Sequence, residues 1–423
     1  MGHETTVSGT GTKGTGDETA RRNEAAEAGL TRPSGPPPKN IVICLDGTND
    51  ELGASAPTNP AKVFEMLDLD DPAQQIAYYD PGVGTLPAAT ARGTIGRQVS
   101  RLAQMAFGFG MKANLIQAYS WLMDNYQRDD RLYVFGFSRG AYTARALVGI
   151  LAKPGLLRSG SANLVEYAVK QYAQRRSVNS GDHLMRGVAE FADALCWGTR
   201  TRPMNPDWPY PDDEVGRLHA IPVQYLGVWD TVAASGFAGL GEVSWPDTRT
   251  LPNVRRLRHA VAIDECRRPY REFLVEPRAG FEEAWFSGVH CDVGGTFVDH
   301  QLATVALKWV FDGVCRELRL RDRKPAVAYE RFCQVTGAAA TGKINKNDWT
   351  WKLIGSRTRP IPATAMLHET VRIRRLHDAG YLPGLAGADL PSRWTDPDWT
   401  VPVTFSAPAG AGVAGLQGAE PGS

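Results

Sequence analysis

Several features that define protein classes are missing or scarce in this sequence. It contains six cysteines in 423 residues, widely spaced and without a C-x-x-C pair, which argues against a disulfide scaffold or a zinc ribbon. No apolar run reaches the roughly 18 residues of a membrane-spanning helix. The first residues also lack the apolar core of a signal peptide. We therefore expect a soluble, cytoplasmic protein, with export independent of a signal peptide left open.

An excess of charge of one sign is also absent. The chain has 47 Lys and Arg residues against 46 Asp and Glu residues, a net charge of +1. This balance gives no bulk attraction to nucleic acid or to an anionic membrane, although peripheral membrane contact through a local patch stays open. Hydrophobic residues make up 43% of the chain, enough for a substantial core.

No motif for a bound cofactor is present either. The glycine-rich stretches do not match the G-x-x-x-x-G-K-[ST] phosphate loop. His290, Cys291 and Asp292 could be combined with Asp46 or Asp230 into a metal site, but their spacing fits no known ligand pattern. We therefore expect neither a metal nor another cofactor. Oligomeric state leaves no signal in the sequence.

Composition separates a folded centre from two tails. Residues 1–38 are rich in Gly, Thr, Glu, Ala and Pro and have few large apolar side chains, which predicts a disordered N-terminal tail. Residues 407–423 consist mainly of small residues, which predicts a flexible C-terminal tail. Residues 39–406 between them are expected to form one domain.

The folded centre alternates apolar runs with amphipathic segments. Strands are predicted at 41–48, 131–138, 221–231 and 282–290, and helices at 111–126, 140–153 and 302–318. This alternation is typical of the α/β class, with a mostly parallel sheet and helices on both faces. The basic stretch around His259 is expected to be helix-like.

One segment breaks this alternation. Residues 156–219 contain two helical pieces and then a loop bearing Pro and Trp. Its place between two core strands predicts a helical, lid-like insertion. An additional surface helix pair is the alternative.

Residues 136–140 read Gly-Phe-Ser-Arg-Gly and fit the G-x-S-x-G pattern. An apolar strand precedes the pattern and a helix-forming segment follows it, as in the strained turn that presents a nucleophilic serine. Gly136 and Gly140 would let strand and helix approach closely. Ser138 is therefore the candidate nucleophile, and the Arg139 backbone N–H is a candidate oxyanion donor.

A nucleophilic serine needs a general base, and an acidic residue that orients that base. In α/β proteins with a G-x-S-x-G nucleophile the chain order is Ser, then Asp or Glu, then His. Asp230 ends the apolar run QYLGVWD and His290 ends AWFSGVH. These two residues therefore complete a candidate triad with Ser138. The rival acids Asp292 and Asp299 follow the histidine, and the rival histidines are less well placed: His219, His259, His300, His368 and His377.

Asp46, Gly47 and Thr48 end the first predicted strand. Their loop is expected to supply the second oxyanion donor, through the backbone of Gly47 or Thr48. A strand-end Asx turn without a catalytic role is the alternative. A phosphatase of the D-x-D-G-T kind is excluded, because Cys44 occupies the place of its nucleophilic aspartate.

Six motifs together resemble one family: LDGT, YDPGVGT, GFGMKANLIQAYSWL, FGFSRGAYTAR, GVWDTV and WFSGVHCDVGG. It is the bacterial and fungal family of α/β hydrolases that includes the catalytic domain of type VI secretion phospholipase effectors, the Tle-type lipases. The resemblance runs from about Lys39 to Asp312, with a weaker match at 367–374. It implies an α/β-hydrolase fold and a catalytic triad at the GFSRG serine, the WDT aspartate and the GVH histidine, here Ser138, Asp230 and His290.

These observations predict a serine hydrolase that cleaves ester bonds, an esterase or lipase with phospholipid as the leading substrate class. The partner would be a small-molecule or lipid ester. Two alternatives stay open. One is a catalytically silent interaction protein that keeps the fold, for which the triad side chains would be too far apart to hydrogen-bond. The other is an acyl transferase or peptidase with the same triad.

Overall fold

The computed structural model describes ten stretches of the chain: 36–47, 56–82, 95–173, 181–198, 219–232, 245–268, 270–321, 324–346, 356–382 and 394–405. The tails predicted at 1–38 and 407–423 fall outside these stretches, apart from 36–38. Their disorder therefore stays a prediction, as does the extent of the domain between them.

The described residues contain an eight-stranded sheet in which every pair of neighbouring strands is parallel. Its spatial order is β2-β1-β3-β4-β5-β6-β7-β8. The strands are β1 Asn40–Leu45, β2 Gln75–Asp80, β3 Arg131–Phe137, β4 Val223–Trp229, β5 Val254–Ala262, β6 Phe281–Phe286, β7 Met366–His368 and β8 Trp394–Thr395.

Helices connect these strands. They are α1 Asn59–Met66, α2 Ile95–Asn125, α3 Ser138–Ala152, α4 Val165–Ala173, α5 Gly181–Leu195, α6 His290–Gly294, α7 Gln301–Asp312, α8 Pro325–Cys333 and α9 Glu369–His377. Short 3₁₀ turns lie at Ala162–Leu164 and Gly337–Thr341.

The sheet is covered on both faces, and β1 shows how. Ile41 and Ile43 point to the face packed by α2, α3 and α4. Val42 and Cys44 point to the face packed by α1, α7 and α8. Successive side chains of a strand face opposite ways, so an uninterrupted apolar run is what a strand buried on both sides requires. The predicted α/β class is thereby confirmed.

The strand order reverses at β1. After β1 the chain moves to the edge strand β2, and it then returns past β1 to form β3 and the rest of the sheet. In open parallel sheets such a reversal leaves a crevice beyond the carboxyl ends of the two central strands, where ligands bind. The segment 46–47 after β1 and Ser138 after β3 both lie at this crevice.

The prediction around His259 was wrong. Residues 254–262 form the central strand β5 and not a helix. The basic residues misled because two of them reach specific partners elsewhere in the fold. Arg258 bonds Glu282 on β6 and the Trp309 carbonyl on α7, at 3.0 and 2.6 Å, and Arg256 bonds the Gly313 carbonyl and Glu317. Charge in a sequence therefore does not exclude a strand when the side chains reach ion-pair partners.

Three predicted element bounds differ most from the structure. The helix predicted from Met111 already begins at Ile95. The strand expected to close at His290 ends at Phe286, and His290 instead begins the short helix α6. The helix expected to run to Leu318 ends at Asp312. Val314 and Leu318 in the following turns belong to the same apolar cluster as α7, so the apolar pattern continues past the end of the helix.

The predicted insertion contains α4 and α5. Val165, Val169 and Tyr172 of α4 are buried in the same cluster as α2 and α3. The Pro- and Trp-bearing loop, residues 199–218, lies outside the described residues. Movement of this segment as a lid stays a prediction.

Candidate active site

Ser138 lies at the sharp junction of β3 and α3. Its backbone adopts φ of 58°, a left-handed conformation that is strained for a residue other than glycine. The flanking glycines make the junction sterically feasible. A Cβ on Gly140 would lie 2.2 Å from the Leu45 carbonyl oxygen, and one on Gly136 would lie 2.7 Å from the Ala141 Cα. Gly136 and Gly140 therefore lie where the pattern predicts them, at points of close backbone contact.

Three predicted side chains meet beyond the carboxyl ends of their strands. The Ser138 Oγ lies 2.8 Å from His290 Nε2, and His290 Nδ1 lies 2.6 Å from Asp230 Oδ2. This geometry fits a neutral imidazole that donates its Nδ1 proton to Asp230 and accepts the Ser138 hydroxyl proton at Nε2. All three side chains are buried, so little water competes for these bonds.

Burial and charge set the protonation of this group. Burial lowers the pKa of His290, and the Asp230 hydrogen bond only partly offsets it. Burial by itself would raise the pKa of Asp230, but the Arg359 guanidinium and the His290 hydrogen bond hold that pKa well below its usual range. At neutral pH His290 is therefore an unprotonated base beside an ionised carboxylate.

The loop after β1 lies against the candidate nucleophile. A Cβ on Gly47 would lie only 3.0 Å from Cβ of Ser138. The side chains of Thr58 and Tyr79 donate to Asp46 Oδ2 at 2.7 and 2.6 Å, which fixes the residue just before Gly47. The Arg139 N–H belongs to the first turn of α3, whose N–H groups have no acceptor within the helix. Thr48 lies outside the described residues.

Sequence reasoning missed the residues that hold His290. Its backbone N–H donates to Glu265 Oε2 at 3.2 Å, and Arg267 in turn pairs with Glu265 at 2.8 Å. The Tyr270 ring meets the imidazole edge-on with 4.9 Å between centroids. The loop between β5 and β6 that bears these residues carries no pattern linked to the G-x-S-x-G motif.

The helix that begins at His290 has its own support. Asp292 accepts a hydrogen bond from the Val289 N–H at 3.0 Å and two from Asn345, at 3.0 Å from its N–H and 2.7 Å from its side chain. Asp292, a rival acid in the sequence, thus stabilises the start of α6.

The five rival histidines named from the sequence have separate partners or are exposed. His259 bonds Glu283, His219 bonds Asp193 and His368 bonds Asp396, while His300 and His377 are exposed. Within the described stretches, no three His, Cys, Asp or Glu side chains are grouped so that they could hold a metal ion. No helix in that same part of the chain is long and apolar enough to cross a membrane.

Comparison with known families assigns the chain. The family model described as the type VI secretion phospholipase effector Tle1-like catalytic domain matches residues 39–313. The chain belongs to this family. The resemblance found in the six motifs is thereby confirmed, and the matched region contains Ser138, Asp230 and His290.

Individual proteins that resemble this chain share less than a third of their aligned residues with it. Over 244 residues the chain is 29% identical to the uncharacterized protein YEL023C of Saccharomyces cerevisiae, covering 56% of this chain and 33% of that protein. Two solved structures are also similar. One is an uncharacterized protein from Pseudomonas aeruginosa, with 18% identity, a TM-score of 0.35, and 70% and 48% of the two chains covered. The other is a Tle1 effector bound to the VgrG spike of a type VI secretion system, with 16% identity, a TM-score of 0.29, and coverage of 61% and 52%. The chain thus spans a third of the yeast relative and about half of each solved chain.

Proposed function

We propose that this protein is a serine hydrolase that cleaves lipid ester bonds, with Ser138 as nucleophile, His290 as general base and Asp230 as the acid that orients it. The observation that carries the proposal is the hydrogen-bonded chain from Ser138 Oγ through His290 to Asp230. A catalytically silent protein would need no such alignment, and bonds of 2.8 and 2.6 Å argue against that alternative.

The geometry suits a two-step acyl transfer to water. His290 Nε2 removes the Ser138 proton as Oγ attacks the ester carbonyl, and the Asp230 carboxylate stabilises the imidazolium that forms. The N–H groups of Arg139 and Gly47 are the proposed donors to the oxyanion. His290 then protonates the departing alcohol, and water activated by the same imidazole releases the acyl group from Ser138.

Family membership supports a lipid ester as the substrate class. The family model is described as a phospholipase effector catalytic domain, so a phospholipid acyl ester is the first substrate to test.

Hydrolysis of phospholipid vesicles tests the proposal. Purified protein is incubated with phosphatidylcholine–phosphatidylglycerol vesicles and with a short-chain aryl ester, and the released fatty acid and alcohol are quantified. We expect turnover by the wild type and its loss in Ser138→Ala. Ser159→Ala changes an exposed serine whose side chain bonds Asp124 near the end of α2, and it should retain wild-type turnover. Equal turnover by Ser138→Ala, or none by the wild type on any ester, would contradict the proposal.

A further inference from the structure

The carboxylate of Asp230 accepts an unusually full set of hydrogen bonds. Its Oδ1 accepts from the Ala262 N–H at 2.9 Å and from Arg359 Nη1 at 2.5 Å. Its Oδ2 accepts from His290 Nδ1 at 2.6 Å and from Arg359 Nη2 at 3.0 Å. The Arg359 guanidinium therefore bonds both oxygens of the carboxylate at once, a geometry that fixes the plane of that group.

Arg359 reaches Asp230 from a part of the chain beyond the family match, which ends at residue 313. It also donates to the Ala262 carbonyl at 2.7 Å and to the Tyr270 carbonyl at 2.6 Å. One side chain thus joins the end of β4, the end of β5 and the loop whose Tyr270 ring contacts His290. The side chain of Arg359 is only 3% exposed and that of Asp230 only 1%.

We propose that Arg359 is a positioning residue for the triad. Its bidentate hydrogen bonds hold the Asp230 carboxylate in the orientation that directs Oδ2 at His290 Nδ1. This inference rests on the proposed function and extends it to a residue of the C-terminal segment. Arg359 does not contact Ser138 or the place of the ester, so it acts only through Asp230.

The same ion pair affects the pKa of His290, because it determines how strongly the Asp230 carboxylate stabilises the protonated imidazole. A positive charge on the far side of the carboxylate offsets part of its negative charge, so the imidazolium is stabilised less than it would be by an unpaired aspartate. Removal of that positive charge should make the His290–Asp230 pair bind its proton at higher pH. A residue with a purely structural role would change the stability of the protein but not this titration.

Other charged groups face the pair and stay in place in the test. Asp230 and His290 face His259 of β5 and Glu265, Arg267 and Tyr270 of the β5–β6 loop. Behind them, Cys291 lies near Arg267 and Tyr270, and Glu272 lies 4.0 Å from Arg359 Nε. Glu265 and Arg267 form their own buried ion pair. None of these side chains is substituted, although Glu272 loses its contact with Arg359. A changed titration therefore reports the removal of Arg359 together with that contact.

The test follows the His290 imidazole by NMR in protein labelled at histidine, with its signal assigned by its loss in His290→Gln. Three variants are compared with the wild type: Arg359→Gln, Arg359→Lys and Arg278→Gln. Arg278 is a matched control, because it also donates to two backbone carbonyls, those of Leu251 and Val254, but at the opposite end of the sheet.

In Arg359→Gln we expect the pKa of His290 to rise by about one unit. The pH midpoint at which kcat/KM falls on the acidic side should move to higher pH by the same amount. Arg359→Gln should also lower kcat. Arg359→Lys keeps the charge but cannot bond both oxygens in one plane, so it should shift the pKa of His290 less and lower kcat less than Arg359→Gln does. Arg278→Gln should lower the melting temperature and leave the titration unchanged. An unchanged titration in Arg359→Gln would overturn the proposal.

The design separates this inference from the proposed function. If the wild type hydrolyses no ester, the proposed function fails, while the NMR titration still decides the role of Arg359. If Arg359→Gln does not fold, Arg359→Lys decides: a raised pKa with reduced kcat supports the positioning role, and wild-type values of both contradict it.

Discussion

Two buried histidines contact the residues that follow β4, His290 at Asp230 and His259 at Thr231, and each is bonded to a carboxylate. His290 bonds Asp230 at 2.6 Å and His259 bonds Glu283 at 2.8 Å, both through Nδ1. They differ at the other ring nitrogen. Nε2 of His290 meets the Ser138 hydroxyl at 2.8 Å, whereas Nε2 of His259 accepts the backbone N–H of Thr231 at 3.2 Å.

This difference separates a candidate catalytic pair from a structural one. A hydroxyl can give its proton to the imidazole and attack a substrate, whereas a backbone amide cannot. His259 instead fixes the backbone just after Asp230. A buried His–carboxylate pair is therefore not evidence of catalysis until the group at its second nitrogen is known.

The carboxylates also differ in what remains when the histidine is removed. Asp230 would keep the Arg359 guanidinium and the Ala262 N–H. Glu283 would keep the Val275 N–H at 3.0 Å, with the buried Arg145 nearby. We therefore expect opposite effects on activity and on stability from the same substitution at the two histidines.

The largest effect is expected from His290→Phe. Loss of the general base should lower kcat by a factor of about 10³ or more, while the melting temperature changes little because Asp230 keeps its other partners. Ester hydrolysis and thermal unfolding of the same preparation measure both effects. Retained activity would remove His290 from the proposed mechanism.

His259→Phe should show the reverse. It leaves the Thr231 N–H without its acceptor and Glu283 without its main partner, at a cost of about 2–5 kcal/mol in the free energy of unfolding. We expect kcat/KM to fall by less than about tenfold, measured well below the melting temperature. Urea unfolding quantifies the loss, with the exposed His300→Gln as the control. A kcat loss matching that of His290→Phe would abolish the distinction between the two pairs.

Activity should depend on the protonation of His290 alone. Because burial lowers the pKa of His290, kcat/KM should rise with pH through a midpoint below the ordinary histidine value of 6.5 and then level off. A pH profile of the wild type checks this, and His259→Phe should keep the same midpoint. A midpoint above 6.5 would mean that Asp230 outweighs burial.

The free energy of unfolding should also decrease as the pH falls below about 6.5, and this is the smallest of the expected effects. Burial lowers the pKa of three histidines, His259, His290 and His368. The unfolded chain therefore binds protons first as the pH falls below 6.5, and each histidine removes at most about 1.4 kcal/mol per pH unit from the free energy of unfolding. Urea unfolding at pH 7.5 and 5.5 tests this, and His259→Phe should show a weaker dependence.

The sequence allowed the triad to be predicted because its signals are local. Ser138 lies in a five-residue pattern, and Asp230 and His290 each follow an apolar run in the expected chain order. That these residues act as a triad stays a proposal. The strand β5 was missed because Arg256 and Arg258 find partners elsewhere in the chain, which a sequence does not display.

The partners of the triad could not be predicted for a related reason. Arg359 contacts Asp230 across 129 residues, and Asn345 contacts Asp292 across 53. No periodicity or motif connects such positions. β7 and β8, with three and two residues, are likewise too short to give a periodic signal.

Labelling by a fluorophosphonate probe tests the central claim most directly, because the probe reacts with an activated serine and not with an ordinary hydroxyl. Peptide mapping by mass spectrometry then locates the adduct. The account predicts that the wild type is labelled at Ser138, that labelling is lost in Ser138→Ala and His290→Phe, and that it persists in His259→Phe. An adduct on another serine, or equal labelling of Ser138→Ala, would contradict it.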